Sequence, residues 1–300
     1  MRESVEETAN LVTRSWRGPV MGTEARLLVV TADPKAGDAA LACAVRDLEA
    51  TEQALSRFRA DSELSRLNRS GTVVAGERLM ASVREAVRAF EWSGGLLDPR
   101  VIDSLERFGY GEALPDTVAG EVGLPEPLAP VEDINSWMVE PDRISLPQGV
   151  RLDLAGVGKA LGIGWAAAHL AGHAGLLVDV GGDIVALGTD AEGEPWRVSV
   201  VHGEDAVGLF AGSALAIATS TTERRSWLVA GQKAHHLIDP RTGSPVRRNI
   251  ASASVAAPTI LEADVTAKLL ILEGKAALER LGSQHRAIVT NREGSTEVLF

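Results

Sequence analysis

The segment H-H-L-I-D-P-R-T-G-S-P-V, from His235 to Val246, sets two adjacent histidines at the end of an expected strand, directly before a turn built on Asp239, Pro240 and Gly243. Imidazole titrates near neutrality and both accepts and donates protons, so a histidine pair beside a rigid turn is a candidate acid–base site. A hairpin with two solvated histidines is the alternative, because polar turn residues are usually exposed. A second stretch, L-D-L-A-G-V-G-K-A-L-G from Leu152 to Gly162, reads as strand, tight turn and helix start, with Lys159 in the first helical turn. Glycines let backbone amides approach a ligand, and a helix N-terminus favours phosphate. The spacing is neither a Walker loop nor the dinucleotide fingerprint, since Gly162 falls one residue too far along. A purely structural turn therefore stays open. V-D-V-G-G-D-I reads as a hairpin through Gly181-Gly182-Asp183. Thr219 to Thr222 place four hydroxyls just before Arg224 and Arg225, either a phosphate site or a polar loop.

These residues need elements to hold them. Glu24 to Thr31 reads as a strand ended by Asp33-Pro34. Asp38 to Leu55 reads as a helix, with apolar residues at 41, 45, 48 and 55 and Asp38 as its N-cap. A second helix is expected over Leu79 to Trp92, where Leu79, Val83, Val87 and Phe90 share a face. Arg143 to Leu146 and Val150 to Leu154 read as short strands, and the helix after the glycine turn runs to about Leu170. Further strands are expected at Leu176 to Val180, Ile184 to Leu187, Trp196 to Val201, Leu215 to Ala218 and Ser252 to Ala257, then a helix from Ile260 to Leu272. Residues 1–14 read as a loose polar tail, 15–300 as one domain, and the proline-rich stretch 111–130 as an irregular excursion. Strands and helices mix without regular alternation, which predicts an α+β fold.

Composition narrows the partners. The 300 residues are 45% hydrophobic and 24% charged, an ordinary globular profile. The net charge of −11, with no basic run, argues against nucleic acid, whose binding rests on neutralised phosphates. Cys43 is the single cysteine, so no internal disulfide or thiolate cluster forms, and its place beside Leu41, Val45 and Leu48 predicts a core position. The acidic N-terminus lacks an apolar signal region, and no run of about 18 apolar residues predicts a membrane span. A cytoplasmic location is the expectation.

Taken in order, the segments resemble the ApbE family, the FAD:protein FMN transferases. The resemblance rests on V-M-G-T at 20–23, S-E-L-S-R-L-N at 62–68, L-D-P-R-V at 97–101, L-D-L-A-G-V-G-K-A at 152–160 and V-G-G-D-I at 180–184. It continues with A-T-S-T at 218–221, the histidine segment, whose H-H-x-I-D-P-x-T-G core is the most specific piece, and E-A-D-V-T-A-K-L-L-I-L-E-G at 262–274. The resemblance implies an ApbE-like, T-fold-like architecture of mixed and antiparallel sheets flanked by helices, with a deep FAD cleft. It implies transfer of the FMN half of FAD to a Thr or Ser hydroxyl of an acceptor protein, with release of AMP. Non-catalytic FAD binding, and hydrolysis of FAD to FMN and AMP, are the alternatives. Family acceptors carry a motif resembling Asp-x-x-Ser/Thr-Gly-Ala-Thr, which this chain lacks.

By position, the resemblance implies that His236 is the base and His235 the less constrained of the pair. Met21, Phe58, Leu97 and Asp98 would line the flavin or adenosine pocket with Leu237, and Asp153 would fix the adenosine end. Gly156 and Lys159 would approach the pyrophosphate and its Mg2+, with Asp264 and a backbone carbonyl near Gly156 as metal ligands. Ser220 and Thr221 match the family's Thr-Ser-Gly turn only in part, and Thr221 in place of glycine disfavours positive φ. The family's metal helix reads Asp, three residues, then Thr, whereas here Lys268 follows Asp264. An ammonium only donates and cannot ligate Mg2+, and the acid-first i,i+4 spacing suits an ion pair. Three readings follow: Lys268 replaces the metal, the metal still binds through Asp264 and Gly156, or the cleft binds FAD without transfer. A surface ion pair of little consequence underlies all three.

Overall fold

Eight strands form one antiparallel sheet in the order Val12–Val20, Thr23–Thr31, Gly175–Val180, Asp183–Gly188, Ala214–Thr221, Ile250–Ala256, Arg286–Asn291, Thr296–Leu299. In this computed structural model the described residues are 10–111, 115–118, 125–131, 133–139, 142–280 and 284–299. The helices among them are α1 (Pro34–Leu55), α2 (Glu63–Ser70), α3 (Glu77–Trp92), α4 (Ile102–Arg107), α5 (Gly158–His169) and α6 (Ile260–Glu273). The fold is α+β, as the unalternating order of elements predicts.

Two hydrophobic cores meet at α6. One packs α1 and α5 on the sheet through Leu27, Val29, Leu48, Ile163 and Val178. The other joins α2 and α3 to Leu152, Leu154 and the far strands through Leu64, Leu79, Ile144, Val255 and Leu269. Ile260 and Ala263 of α6 belong to the first, Val265 and Leu269 to the second. A helix serving two cores is apolar nearly all round. Polar residues on it therefore stand out: Asp264 and Thr266 are both buried. Thr259 starts this helix with a reciprocal capping box to Glu262.

Several local expectations need correction. Helix α1 starts at Pro34 with Asp33 as its cap, accepting from the Lys35 and Ala36 amides at 3.0 and 3.1 Å. Asp38 lies inside the helix and pairs with Arg14. Cys43 is half-buried rather than core; Ala44 takes the buried position. Residues 1–9 of the expected tail lie outside the described residues, but Val12 to Arg14 are already strand. Of the excursion, 112–114 and 119–124 lie outside the described residues, and Thr117–Val118 pairs in parallel with Leu228–Val229.

Val150 to Leu154 forms no strand. Leu152 is held by a side chain: Asn68 accepts from the Leu152 amide at 2.8 Å and donates to the Leu152 carbonyl at 2.9 Å, while the Asp153 amide donates to the Pro99 carbonyl at 2.7 Å. The glycines that follow divide by role. A Cβ on Gly158 would press Leu55 Cδ1 at 2.9 Å and one on Gly162 would meet Thr51 Cγ2 at 3.1 Å, so both let α5 lie close on α1. A Cβ on Gly156 would meet nothing within 4 Å. Packing explains two of the three, and leaves Gly156 facing open space.

Candidate functional site

The histidine segment closes on itself as a short hairpin, Ile238 pairing with Pro245 and Asp239 with Ser244. Asp239 organises the turn, its carboxylate accepting from the Arg241 amide at 3.0 Å and guanidinium at 2.8 and 2.7 Å. The Asp98-Pro99-Arg100 turn repeats this bonding, with Arg100 held by Asp98 at 2.6 to 3.2 Å. Gly243, at φ 65°, packs against the Glu126 carbonyl, which a Cβ would approach to 2.0 Å. Only glycine fits there.

Neither histidine stands free on an exposed turn, since His235 is buried and His236 is half-buried on a cavity wall, which overturns the solvated-hairpin alternative. His235, 3% exposed, is bonded at both ring nitrogens: Nδ1 accepts from the Leu237 amide at 3.3 Å, so Nε2 donates to the Val246 carbonyl at 2.9 Å. It is the more constrained of the pair, against expectation. His236 lies on the cavity wall, its Nδ1 buried without a hydrogen-bond partner. His236 is half-buried where it lines the cavity. Burial, helped by the nearby Arg225 charge, pushes His236 down to about 3, and burial pushes His235 down to about 4. Both are neutral at pH 7, the form in which imidazole accepts a proton.

Two predictions arise here. His235→Ala should destabilise the fold by about 2–3 kcal/mol through the lost packing and the orphaned Val246 carbonyl, as a fall in chemical-denaturation midpoint. Because both folded-state pKa values lie below the unfolded value near 6.5, the histidines contribute stability that is complete above pH 6.5 and lost as pH falls toward 4 and 3. At pH 5 each loses about 2 kcal/mol. Denaturation from pH 7 to 5 should show this loss, and His236→Gln should flatten the profile by about half.

The floor of the site is a four-charge cluster. Asp264 and Lys268 form the ion pair that their spacing predicts, but it is no surface pair: their side chains are 3% and 13% exposed. Burial pushes the Asp264 carboxyl up, and the Lys268 ammonium opposes it. Asp264 Oδ2 has no hydrogen-bond partner. On the facing wall Lys159, in the first turn of α5, lies 2.6 Å from Asp183 Oδ2, while Asp183 Oδ1 accepts from the Thr219 amide at 3.0 Å. The Gly181-Gly182 turn that delivers Asp183 has φ 65° and 92°, the hairpin its sequence predicts.

Above the cluster opens a cavity of about 710 Å³. Most residues singled out in the sequence line it: Phe58, Leu97, Asp98, Asp153, Gly156, Lys159, Ser220, Thr221, His236, Leu237, Asp264 and Lys268. Met21 does not; its place on the wall is taken by Gly22 and Thr23, while Met21 adopts φ 54° with its amide on Glu52. Thr221 ends its strand with no positive φ, so the turn differs from the glycine form without strain. Asp153 is held by Arg57 at 2.9 Å. The Arg57 guanidinium stacks on Phe58 and Tyr110 at 4.1 and 4.8 Å from the ring centroids. Arg57, Tyr110 and Asp179, to which sequence reasoning assigned no role, also line the cavity, as do Arg224 and Arg225 of the segment read as either a phosphate site or a polar loop.

Comparison with known proteins places the chain in a family. The model of the ApbE family matches residues 21–290. The FAD:protein FMN transferase of Salmonella typhimurium is 31% identical over 310 residues, spanning 96% of this chain and 84% of its own. That of Escherichia coli K12 is 30% identical over 300 residues, spanning 92% and 81%. The flavin transferase ApbE from Vibrio cholerae superposes with a TM-score of 0.76 at 24% identity, over 96% of this chain and 97% of its own. The ApbE protein from Thermotoga maritima gives a TM-score of 0.79 at 20% identity, over 95% and 96%.

Proposed function

This chain belongs to the ApbE family, and we propose that it transfers the FMN half of FAD to a Thr or Ser hydroxyl of an acceptor protein, releasing AMP. The observation that carries the reading is His236: a neutral histidine with an unpartnered ring nitrogen, on the wall of a dinucleotide-sized cavity whose floor holds two lysines. A pure binding site has no use for such a group. In the reaction His236 takes the proton of the acceptor hydroxyl as its oxygen bonds to the phosphorus of the FMN half. The bond from that phosphorus to the AMP phosphate breaks, and AMP leaves with its electron pair. The protein's task is positioning and charge stabilisation around the reacting phosphates.

Mg2+ belongs to the family's chemistry, but the donors here do not fit it. Mg2+ demands near-octahedral oxygen ligation. Asp264 offers one carboxylate already shared with an ammonium, Gly156 only a backbone carbonyl, and Thr266 Oγ1, though buried and unpartnered, sits two residues along α6. Among the described residues no group of three His, Cys, Asp or Glu side chains converges. This donor set favours the reading in which Lys268 supplies fixed positive charge where the family places a metal.

Product analysis tests the proposal. With FAD and a protein carrying the family acceptor motif, AMP should appear in step with acceptor modification and stay absent without acceptor. AMP and free FMN forming without acceptor would identify a hydrolase instead. No helix among the described residues is long and apolar enough to cross a membrane.

A further inference from the structure

Phosphoryl transfer brings a diphosphate, two negative charges, into this cavity, and three of the cations there already share their charge with a carboxylate. Lys159 is matched by Asp183 at 2.6 Å, Arg57 by Asp153 at 2.9 Å and Lys268 by Asp264. A closely paired cation presents an anion with the weak field of a dipole. Two cations on the wall differ. Among the described residues, neither the Arg224 nor the Arg225 guanidinium has a hydrogen-bond or ion-pair partner. The nearest acid in sequence, Glu223, lies 3.6 Å from His202, and Asp179 on the same wall accepts from the Gly182 amide at 2.8 Å.

The backbone that carries them is held by hydrogen bonds on either side. Thr222, buried, donates its amide to the Ala251 carbonyl at 2.9 Å, and Ser226 Oγ donates to the Glu223 carbonyl at 2.6 Å. The Arg225 carbonyl accepts the amide of His236, the base itself, at 3.3 Å. Arg224 extends over the Gly181-Gly182 turn, its Nη1 3.8 Å from where a Gly182 Cβ would stand. Both arginines thus line the cavity, Arg225 bonded through its backbone to the base and Arg224 with its guanidinium over the opposite hairpin. We propose that Arg224 and Arg225 form the diphosphate clamp of this cavity, Arg225 on the phosphate that reacts at His236 and Arg224 on its neighbour. The planar guanidinium fork matches paired phosphate oxygens, which a lysine point charge does not. The inference rests on the flavin-dinucleotide reading above.

Binding constants for FAD and for riboflavin, which lacks phosphate, test it by flavin fluorescence at low and moderate salt. Arg224→Gln/Arg225→Gln should weaken FAD binding at least about tenfold, leave riboflavin within about twofold, and flatten the salt dependence of FAD binding. Arg225→Lys should recover part of the loss. FAD affinity unchanged in the double variant, with the wild type binding FAD, would overturn the clamp and leave the flavin reading standing. Equal loss of riboflavin would also overturn it, showing a merely structural role. A wild type that binds neither ligand would overturn the flavin reading and the clamp with it.

Discussion

His236→Ala is expected to slow FMN transfer by about a hundred- to ten-thousand-fold, the range over which a positioned general base contributes. FAD affinity should change by no more than a few-fold. The division follows from geometry. His236 lines the cavity with Nδ1 unpartnered and its backbone amide on Arg225, so truncation removes a proton acceptor without breaking a side-chain bond. His235→Ala should give the opposite pattern, a loss of stability first, because its ring ties Leu237 to Val246. Rates with acceptor at saturating FAD, measured beside FAD dissociation constants, separate the two. Full transfer activity in His236→Ala would remove it from the mechanism.

Lys268 carries the second large effect, and two substitutions read it differently. Lys268→Met leaves Asp264 buried with no counter-charge. Breaking a buried pair from one side costs about 3–5 kcal/mol, less whatever Asp264 recovers by taking a proton. Transfer should fall with or without Mg2+, since the remaining carboxylate repels the incoming phosphates. Lys268→Thr instead places a hydroxyl one turn from Asp264, and the pair becomes two oxygen donors on one helix face. In that variant transfer should come to depend on Mg2+, and Mg2+ with FAD should raise the melting temperature in a way the wild type does not show. An unchanged Mg2+ response in Lys268→Thr, in both activity and melting, would remove Lys268 from the account.

Much of the frame was legible because it is local. The Gly181-Gly182 hairpin, the Leu79–Trp92 face and the strand over Glu24–Thr31 each announce themselves by residue type and period. The start of α1 was legible too, since Pro34 after Asp33 is a helix entry, but apolar spacing drew attention to Asp38 four residues inside. Leu152 to Leu154 alternate in burial like a strand, yet Leu152 is held by Asn68, eighty-four residues earlier, and no local pattern reports that. The site divides the same way. The motif draws attention to both histidines, but which one enters the core depends on where Val246 returns. The Asp264–Lys268 pair is one helical turn, so sequence gave it directly. Its burial follows from α6 serving two cores, a tertiary fact, and the Lys159–Asp183 pair joins elements that only the fold brings together.

The central claim is that a neutral His236 and fixed cations, without a resident metal, move FMN from FAD onto a protein hydroxyl. Intact-mass analysis of an acceptor carrying the family motif, incubated with this protein and FAD in Mg2+ and separately in EDTA, tests it most directly. The account predicts a covalent FMN adduct on the acceptor in both conditions. An adduct with Mg2+ alone would contradict the role given to Lys268, and no adduct in either condition, with FAD bound, would contradict transfer itself.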